Sequence, residues 1–187
     1  MYVKITAVNK MKLKEDQFSR QVIYEGKIFS VYHDLVRLPN DQEAYRDVVT
    51  HHGGVAIAAK NASGEYFMVR QYRYPLNKEM TEFVAGKKEK GEDPLTTAKR
   101  ELIEETGYQA ENFEYLGRFI PTCGYCNEHI DMYYADQLTF IGQQLDDIEF
   151  LNVFTIRLEE LIRQIMNNEI EDAKTIIMAL KLQYLQK

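Results

Sequence analysis

Three glutamates, Glu101, Glu104 and Glu105, are spaced so that one helix would carry all three carboxylates along one edge. At about 100° per residue, Glu104 lies about 60° to one side of Glu101 and Glu105 about 40° to the other. Like charges at such spacings repel each other, and a divalent cation held by oxygen ligands would relieve the repulsion. Mg²⁺ often binds a few carboxylates together with substrate phosphates. The spacing alone therefore leaves two interpretations open, a solvated acidic helix face, which is common, and a metal site.

The surrounding residues predict a helix over 93–107. Asp93 suits the N-cap, Pro94 suits the first helical position, and Gly107 suits the left-handed residue that ends a helix. Arg100 can form an ion pair with the glutamate four residues later. The boundaries of this helix are thus specified by its own sequence.

The rest of the chain must supply elements that position this helix. Strand-like segments occur at 22–24, 28–38, 46–50, 55–59, 66–72, 113–120 and 130–135, and helical patterns occur at 158–167 and 172–186. Residues 1–20 are polar and fit either a short strand or a partly ordered arm. The order of elements predicts a mixed α/β protein.

Composition narrows the possible functions. The chain has 187 residues with a net charge of -6, which predicts one ordinary globular domain and disfavours binding to a nucleic-acid backbone. The N-terminal residues lack the apolar core of a signal peptide, and no window is long and apolar enough for a membrane span. We therefore expect a cytoplasmic protein without nucleic-acid or membrane partners.

The two cysteines, Cys123 and Cys126, have C-x-x-C spacing, and His129 continues it. A structural zinc site would need a fourth ligand at suitable spacing, and none of the other histidines provides one. The surrounding Pro-Thr-Cys-Gly-Tyr-Cys-Asn is typical of a loop rather than of the strand-to-helix junction of a redox motif. Cysteines without a catalytic or metal-binding role are the favoured interpretation, and metal or redox chemistry is the alternative.

The acidic segment resembles the Nudix box, G-x5-E-x7-R-E-U-x-E-E-x-G-U, where U is apolar or aromatic. Every position matches: Gly86, Glu92, Arg100, Glu101, Leu102, Glu104, Glu105, Gly107 and Tyr108. Flanking segments are similar to the ADP-ribose pyrophosphatase-like subgroup, namely Arg-Gln-Tyr-Arg-Tyr-Pro at 70–75, Glu-Phe-Val-Ala-Gly at 82–86 and Glu-Asp-Ala-Lys-Thr-Ile at 171–176.

This resemblance implies a hydrolase that uses Mg²⁺ or Mn²⁺ to cleave a nucleoside diphosphate linked to another group. It implies that the carbonyl of Ala85 and the side chains of Glu101 and Glu105 bind metal, with Glu104 a further ligand or near neighbour. It also implies that Arg100 orients the glutamates, and Glu92 is expected to act in the same way.

The resemblance further implies substrate-binding roles for Arg73, Arg46, Glu82 and Glu128. Arg73 is expected to contact a phosphate, for which its guanidinium fork is suited. Members of the subgroup often build the site across a homodimer, and the N-terminal β segments are similar to the sheet used for that purpose. An extra sheet bound within one monomer fits the sequence equally well.

One loop departs from the subgroup pattern, and in another the position of an expected acidic residue is ambiguous. The loop that usually reads Ser-Pro-Gly before a glutamate reads Thr122-Cys123-Gly124 here, although Glu128 is kept. The acid that serves some members as base or extra metal ligand lies before the final strand, where Asp147 and Glu149 are the candidates. Acidic turn residues without a catalytic role are the alternative for both.

The expected fold is therefore an α/β/α sandwich of the Nudix type around a mixed sheet, with a small antiparallel sheet at residues 1–50 and the hydrolase domain at 51–187. The expected activity is Mg²⁺-dependent conversion of ADP-ribose to AMP and ribose 5-phosphate. Hydrolysis of a nucleotide sugar such as GDP-mannose or ADP-glucose is one alternative, and a sensor that binds ADP-ribose without cleaving it is another.

Overall fold

The computed structural model describes residues 12–145 and 148–185. The chain forms two compact units. One contains Met1–His51 with Thr122–Asn127, and the other contains His52–Pro121 with Glu128–Lys187.

The first unit is built on an antiparallel sheet of three strands, β1 (Asp16–Glu25), β2 (Phe29–Arg37) and β3 (Glu43–His51), in that order. Residues 122–127 run beside β3, where the Val49 N–H donates to the Tyr125 carbonyl at 2.8 Å. Every residue of the edge strand β1 is exposed. The predicted strand at 22–24 is thus part of a longer strand that begins at Asp16.

The described residues of the second unit form six strands and three α-helices. Its strands are β4 (Gly54–Ala59), β5 (Tyr66–Arg73), β6 (Lys78–Lys87), β7 (Tyr108–Phe119), β8 (Ile130–Phe140) and β9 (Leu151–Ile156). Its helices are α1 (Pro94–Thr106), α2 (Leu158–Met166) and α3 (Ala173–Leu185). The strand order is β7-β8-β4-β6-β5-β9, and β4 is parallel to β8 but antiparallel to β6, so the sheet is mixed.

The core lies on both faces of this sheet, as the fully buried strand β4 demonstrates. Val55 and Ile57 pack with Leu102 of α1, whereas Ala56 belongs to the cluster that contains Met178 of α3. Since alternate residues of a strand point to opposite faces, β4 is covered by helices on both sides. The predicted α/β/α sandwich with a separate antiparallel sheet is confirmed.

Two strands were not among the predicted segments. Strand β6 carries charged residues and Gly86, so it lacks clear alternation; its pairing with β4 and β5 and the burial of Phe83 and Val84 determine it instead. Strand β9 is a short apolar run, and the periodicity of such a run does not distinguish a strand from a helix. The three helices, by contrast, lie within one or two residues of the predicted bounds in the part of the chain described.

No helix among the described residues is long and apolar enough to cross a lipid bilayer.

Candidate active site

Helix α1 begins and ends as its sequence predicts. The Asp93 carboxylate accepts hydrogen bonds from the backbone N–H groups of Leu95 and Thr96, at 3.1 and 3.2 Å. Gly107 adopts a left-handed conformation with φ of 78°, and its N–H donates to the Ile103 carbonyl. These two caps fix where the helix begins and ends.

Two of the three clustered glutamates are buried against the sheet. Glu101 is 8% exposed and Glu105 is 4% exposed, whereas Glu104 is half-buried. Arg100 Nη1 donates to Glu101 Oε1 at 2.9 Å and to Glu104 Oε2 at 2.7 Å. A solvated acidic helix face would leave these carboxylates in water, so the geometry favours a site over that alternative.

The buried position of these acids changes their protonation. Burial raises the pKa of Glu105 to about 8, and the neighbouring charge of Glu101 adds to the rise, although the Ala85 N–H donates to Glu105 Oε2 at 3.3 Å. Burial likewise raises the pKa of Glu101 to about 7 against the opposing effect of Arg100. In the absence of a cation, burial therefore favours the protonated form of both acids, and a bound cation would favour their ionised form.

Arg100 organises the exposed side of the cluster. Its Nε and Nη2 atoms donate to the two carboxylate oxygens of Glu92 at 3.2 and 3.1 Å, and Nη2 also donates to the Lys87 carbonyl. The hydrogen bonds from Arg100 are the main reason that the pKa of Glu92 falls to about 2. Arg100 thus joins the loop after β6 to the carboxylates of α1.

The backbone at Ala85 and Gly86 lies directly against the two buried carboxylates. A Cβ atom at Gly86 would lie 1.7 Å from the Glu101 carboxylate carbon, so only glycine permits this approach. The adjacent Ala85 N–H contacts Glu105. Carboxylate and backbone oxygens are the donors that a hard divalent cation prefers, so this part of the site fits such an ion.

In the described residues, no group of three or more histidine, cysteine, aspartate or glutamate side chains is arranged to hold a metal ion. Arg100 binds both Glu104 and Glu101, while Glu105 accepts a hydrogen bond from the Ala85 amide. The suitability of this site for a divalent cation therefore rests on the two buried carboxylates and the neighbouring backbone.

Comparison with known proteins agrees with this geometry. Residues 50–178 match the family model for the NUDIX domain. The chain belongs to the Nudix family. It is 38% identical over 176 residues to the ADP-ribose pyrophosphatase of Bacillus subtilis (strain 168), covering 93% of this chain and 94% of that protein. It is also 40% identical over 175 residues to the methanol dehydrogenase activator of Bacillus methanolicus, covering 92% of this chain and 93% of that protein.

A solved structure described as an ADP compounds hydrolase has the same fold, with a TM-score of 0.82 and 16% sequence identity. The match covers 94% of this chain and 96% of the other. The family model and the curated relatives confirm the family that the Nudix box predicted.

Outside the Nudix box, Arg73 and Glu82 form an ion pair. Arg73 at the end of β5 donates through Nε and Nη2 to the two oxygens of Glu82, both at 2.6 Å. Glu82 on β6 is almost fully buried, whereas the Arg73 side chain is 39% exposed. Of the two side chains, Arg73 is therefore the one accessible to a ligand, and the buried Glu82 anchors its guanidinium.

Glu149 lies near the buried glutamates. It is half-buried in the segment before β9, and its charge raises the pKa of both Glu101 and Glu105 after the larger effect of burial. It also lines a cavity of ≈ 380 Å³ together with Arg70 and Tyr72. The other candidate of this segment, Asp147, lies outside the described residues.

The remaining candidates occupy other places. Arg46 lies on β3 in the first unit, is exposed, and pairs with Glu15 at 2.7 Å. Glu128 lies half-buried in the segment before β8. Cys123 is exposed, Cys126 is partly buried, and neither forms a disulfide. The clustered glutamates of α1, Arg73 and Glu149 thus all lie within the second unit. The roles of Arg46 and Glu128 stay predictions.

Sequence reasoning assigned no role to three residues at the start of α3. Asp172, Lys174 and Thr175 bond to each other and to β6 beside Glu82. An aspartate just before a helix is a capping signal, but only the tertiary contact reveals what the lysine binds.

Proposed function

We propose that this Nudix protein hydrolyses the pyrophosphate bond of ADP-ribose and releases AMP and ribose 5-phosphate. The observation that carries this proposal is the pair of buried carboxylates, Glu101 and Glu105, held one helical turn apart against the backbone of Ala85 and Gly86. The relative named ADP-ribose pyrophosphatase, which spans nearly the whole chain, supports the choice of substrate.

The proposed cofactor is Mg²⁺, with Mn²⁺ able to replace it. Glu101, Glu105 and the Ala85 carbonyl would hold the ion, with Glu104 and Glu149 as further or neighbouring ligands. A divalent cation supplies positive charge for the diphosphate oxygens and activates water. The burial of Glu101 and Glu105, which makes their ionised form costly unless a cation is bound, supports this assignment.

The protein's own residues would position the substrate. Arg73, fixed by Glu82, is placed to bind a phosphate oxygen through the exposed edge of its guanidinium. Arg100 and Glu92 hold the carboxylates in position. Glu149 lies in the segment before β9. Its charge acts on both buried glutamates, which supports a role as general base or neighbour of the metal. Asp147, Arg46 and Glu128 stay predictions.

The test is a hydrolysis assay with purified protein, ADP-ribose and Mg²⁺, in which AMP and ribose 5-phosphate are quantified together. The proposal requires equal amounts of both products and no turnover in a chelator. Release of no AMP from ADP-ribose, combined with turnover of another nucleotide, would overturn the substrate assignment.

A nucleotide sugar is the second candidate substrate, because Thr122-Cys123-Gly124 departs from the subgroup's usual loop. Comparing kcat/KM for ADP-ribose, ADP-glucose and GDP-mannose separates the candidates, since discrimination between substrates lies in that ratio. A sensor without turnover is disfavoured because all carboxylates of the Nudix box are present.

We also propose that the protein forms a homodimer through its three-stranded sheet. The edge strand β1 is exposed over its full length and carries Phe18, Val22, Ile23 and Tyr24, which are 44–58% exposed. An exposed apolar edge strand is a ready surface for pairing with a second copy. Light scattering should give twice the chain mass for the wild type and the monomer mass for Ile23→Asp; a wild-type monomer would refute the dimer.

The proposed setting is the cytoplasm, with a small nucleoside diphosphate as partner rather than nucleic acid. The net charge of -6 supports this, because a nucleic-acid site draws on clustered cations.

A further inference from the structure

A buried charge network joins the start of α3 to strand β6 beside the arginine of the proposed site. Lys174 Nζ donates to Glu82 Oε2 and, at 3.0 Å, to Asp172 Oδ1. The side chain of Lys174 is 11% exposed and that of Glu82 is 2% exposed. One buried carboxylate thus binds two cations, the largely buried Lys174 and the partly exposed Arg73.

Lys174 is held in place by the cap of its own helix. Asp172 Oδ2 accepts hydrogen bonds from the Thr175 N–H at 3.0 Å and the Thr175 hydroxyl at 2.6 Å. The Thr175 hydroxyl oxygen in turn accepts from the Phe83 N–H at 2.9 Å. Since Phe83 follows Glu82 on β6, α3 contacts this strand through both the Glu82 carboxylate and the adjacent backbone.

The network balances its own charge. Burial raises the pKa of Glu82, but the hydrogen bonds and charges of Arg73 and Lys174 outweigh it, so the pKa lies below its ordinary value. The charges of Glu105 and Asp172 also act on Arg73, after the larger effect of its bond to Glu82. Arg73 is thus anchored by Glu82 and also feels the charge of the buried acid Glu105.

The geometry points to Lys174 as a positioning residue of the active site, one that fixes Glu82 and thereby the orientation of Arg73 toward the substrate diphosphate. This inference rests on the proposed phosphate-binding role of Arg73. Without Lys174, Glu82 would lose one of its two cations, and the guanidinium would no longer be held at a single angle. Lys174 itself touches no reacting atom.

The test compares wild type, Lys174→Met, Arg73→Ala and the double variant. Lys174→Met should lower kcat/KM for ADP-ribose by about 10- to 100-fold, the usual effect of removing a residue that orients a ligand-binding group. The effect should be mainly an increase in KM, and Lys174→Arg, which keeps the positive charge, should show a smaller increase than Lys174→Met. In the Arg73→Ala background, the same substitution should change kcat/KM by less than about twofold, because its effect passes through Arg73.

Lys78→Met is the matched control, since Lys78 also pairs with an acid at the start of α3, Glu171, but both side chains are about half exposed. It should leave kcat and KM unchanged. Thermal unfolding of each variant confirms that the protein is folded under the assay conditions. Equal losses in the presence and absence of Arg73, or unchanged kinetics in folded Lys174→Met, would overturn the inference.

An NMR readout keeps this test separate from the identity of the substrate. The Arg73 Nε–H resonance, assigned by its loss in Arg73→Ala, should be resolved in the substrate-free wild type and shifted or broadened in Lys174→Met but not in Lys78→Met. If ADP-ribose is not hydrolysed, the proposed function fails while this comparison still decides the role of Lys174. An unchanged resonance in Lys174→Met would refute the positioning role.

Discussion

Replacement of Glu105 by glutamine should make the metal-free protein more stable while it removes activity. Glutamine has nearly the same size and can still accept the hydrogen bond from the Ala85 N–H. It differs in having no carboxylate to ionise. Since Glu105 is 4% exposed, its charge is costly unless a cation neutralises it.

The magnitude follows from the pKa of Glu105, which rises from 4.5 to about 8 on folding, chiefly through burial. Above the lower value the unfolded chain releases this proton while the folded protein keeps it, so stability falls as pH rises through this window. At about 1.4 kcal/mol per pH unit, the loss by pH 7.5 is on the order of 3–4 kcal/mol. In a chelator at that pH, Glu105→Gln should therefore unfold roughly 6–16 °C higher than the wild type.

The assay measures thermal unfolding in a chelator from pH 5 to 8, together with kcat for ADP-ribose in Mg²⁺. Wild type should lose stability across this range, and Glu105→Gln should lose less. Its kcat should fall by about 10²- to 10³-fold, as expected when one transition-state contact is removed. Glu111→Gln, which changes an exposed glutamate of β7, is the control and should alter neither quantity.

Two results would refute this reasoning. An unfolding temperature of Glu105→Gln equal to or below that of the wild type at pH 7.5 would mean that Glu105 carries no burial cost. Near-normal turnover would mean that its carboxylate does not act in the reaction.

Three further substitutions test other parts of the site. Gly86→Ala would place a Cβ 1.7 Å from the Glu101 carboxylate carbon. Because the end of the Glu101 side chain can move, the variant should fold but lose Mg²⁺-dependent turnover. A normal kcat would refute the close approach. Glu92, whose pKa is lowered to about 2 chiefly by Arg100, stabilises the fold fully above pH about 4.5 and loses that effect as pH falls toward 2. Glu92→Gln should therefore be less stable than the wild type at pH 5 and nearly equal to it at pH 2 in circular dichroism melts, and parallel curves would exclude the ion pair. Arg73→Ala should raise KM for ADP-ribose by about 10- to 100-fold, the usual loss of a charge-assisted hydrogen bond; an unchanged KM would assign the phosphate to another cation.

Local signals explain which parts of the fold the sequence predicts. Helix α1 was predicted within one residue at each end because Asp93, Pro94 and Gly107 specify its boundaries. Strand β6 escaped prediction because its alternation is obscured by Lys78 and other charged residues and its identity depends on partners distant in sequence. Such pairings are tertiary, and no local pattern of residues encodes them.

The candidate site divides in the same way. The motif supplied the helix carboxylates, because fixed spacing on a helix determines which side chains share a face. Their burial and raised pKa values were not predictable, since these depend on how α1 packs on the sheet. Lys174 illustrates the limit most clearly: its partner Glu82 is 92 residues away in the chain, and neither residue indicates the other.

The central claim is that the buried carboxylates of α1 bind a divalent cation, and Mn²⁺ binding followed by electron paramagnetic resonance tests it most directly. The wild type should take up Mn²⁺, and a methylene analogue of ADP-ribose that resists cleavage should tighten that uptake. Glu101→Gln and Glu105→Gln should bind the ion much more weakly, whereas Glu111→Gln should bind as the wild type does. Equal uptake by all four proteins, or none by the wild type with the analogue present, would contradict the account.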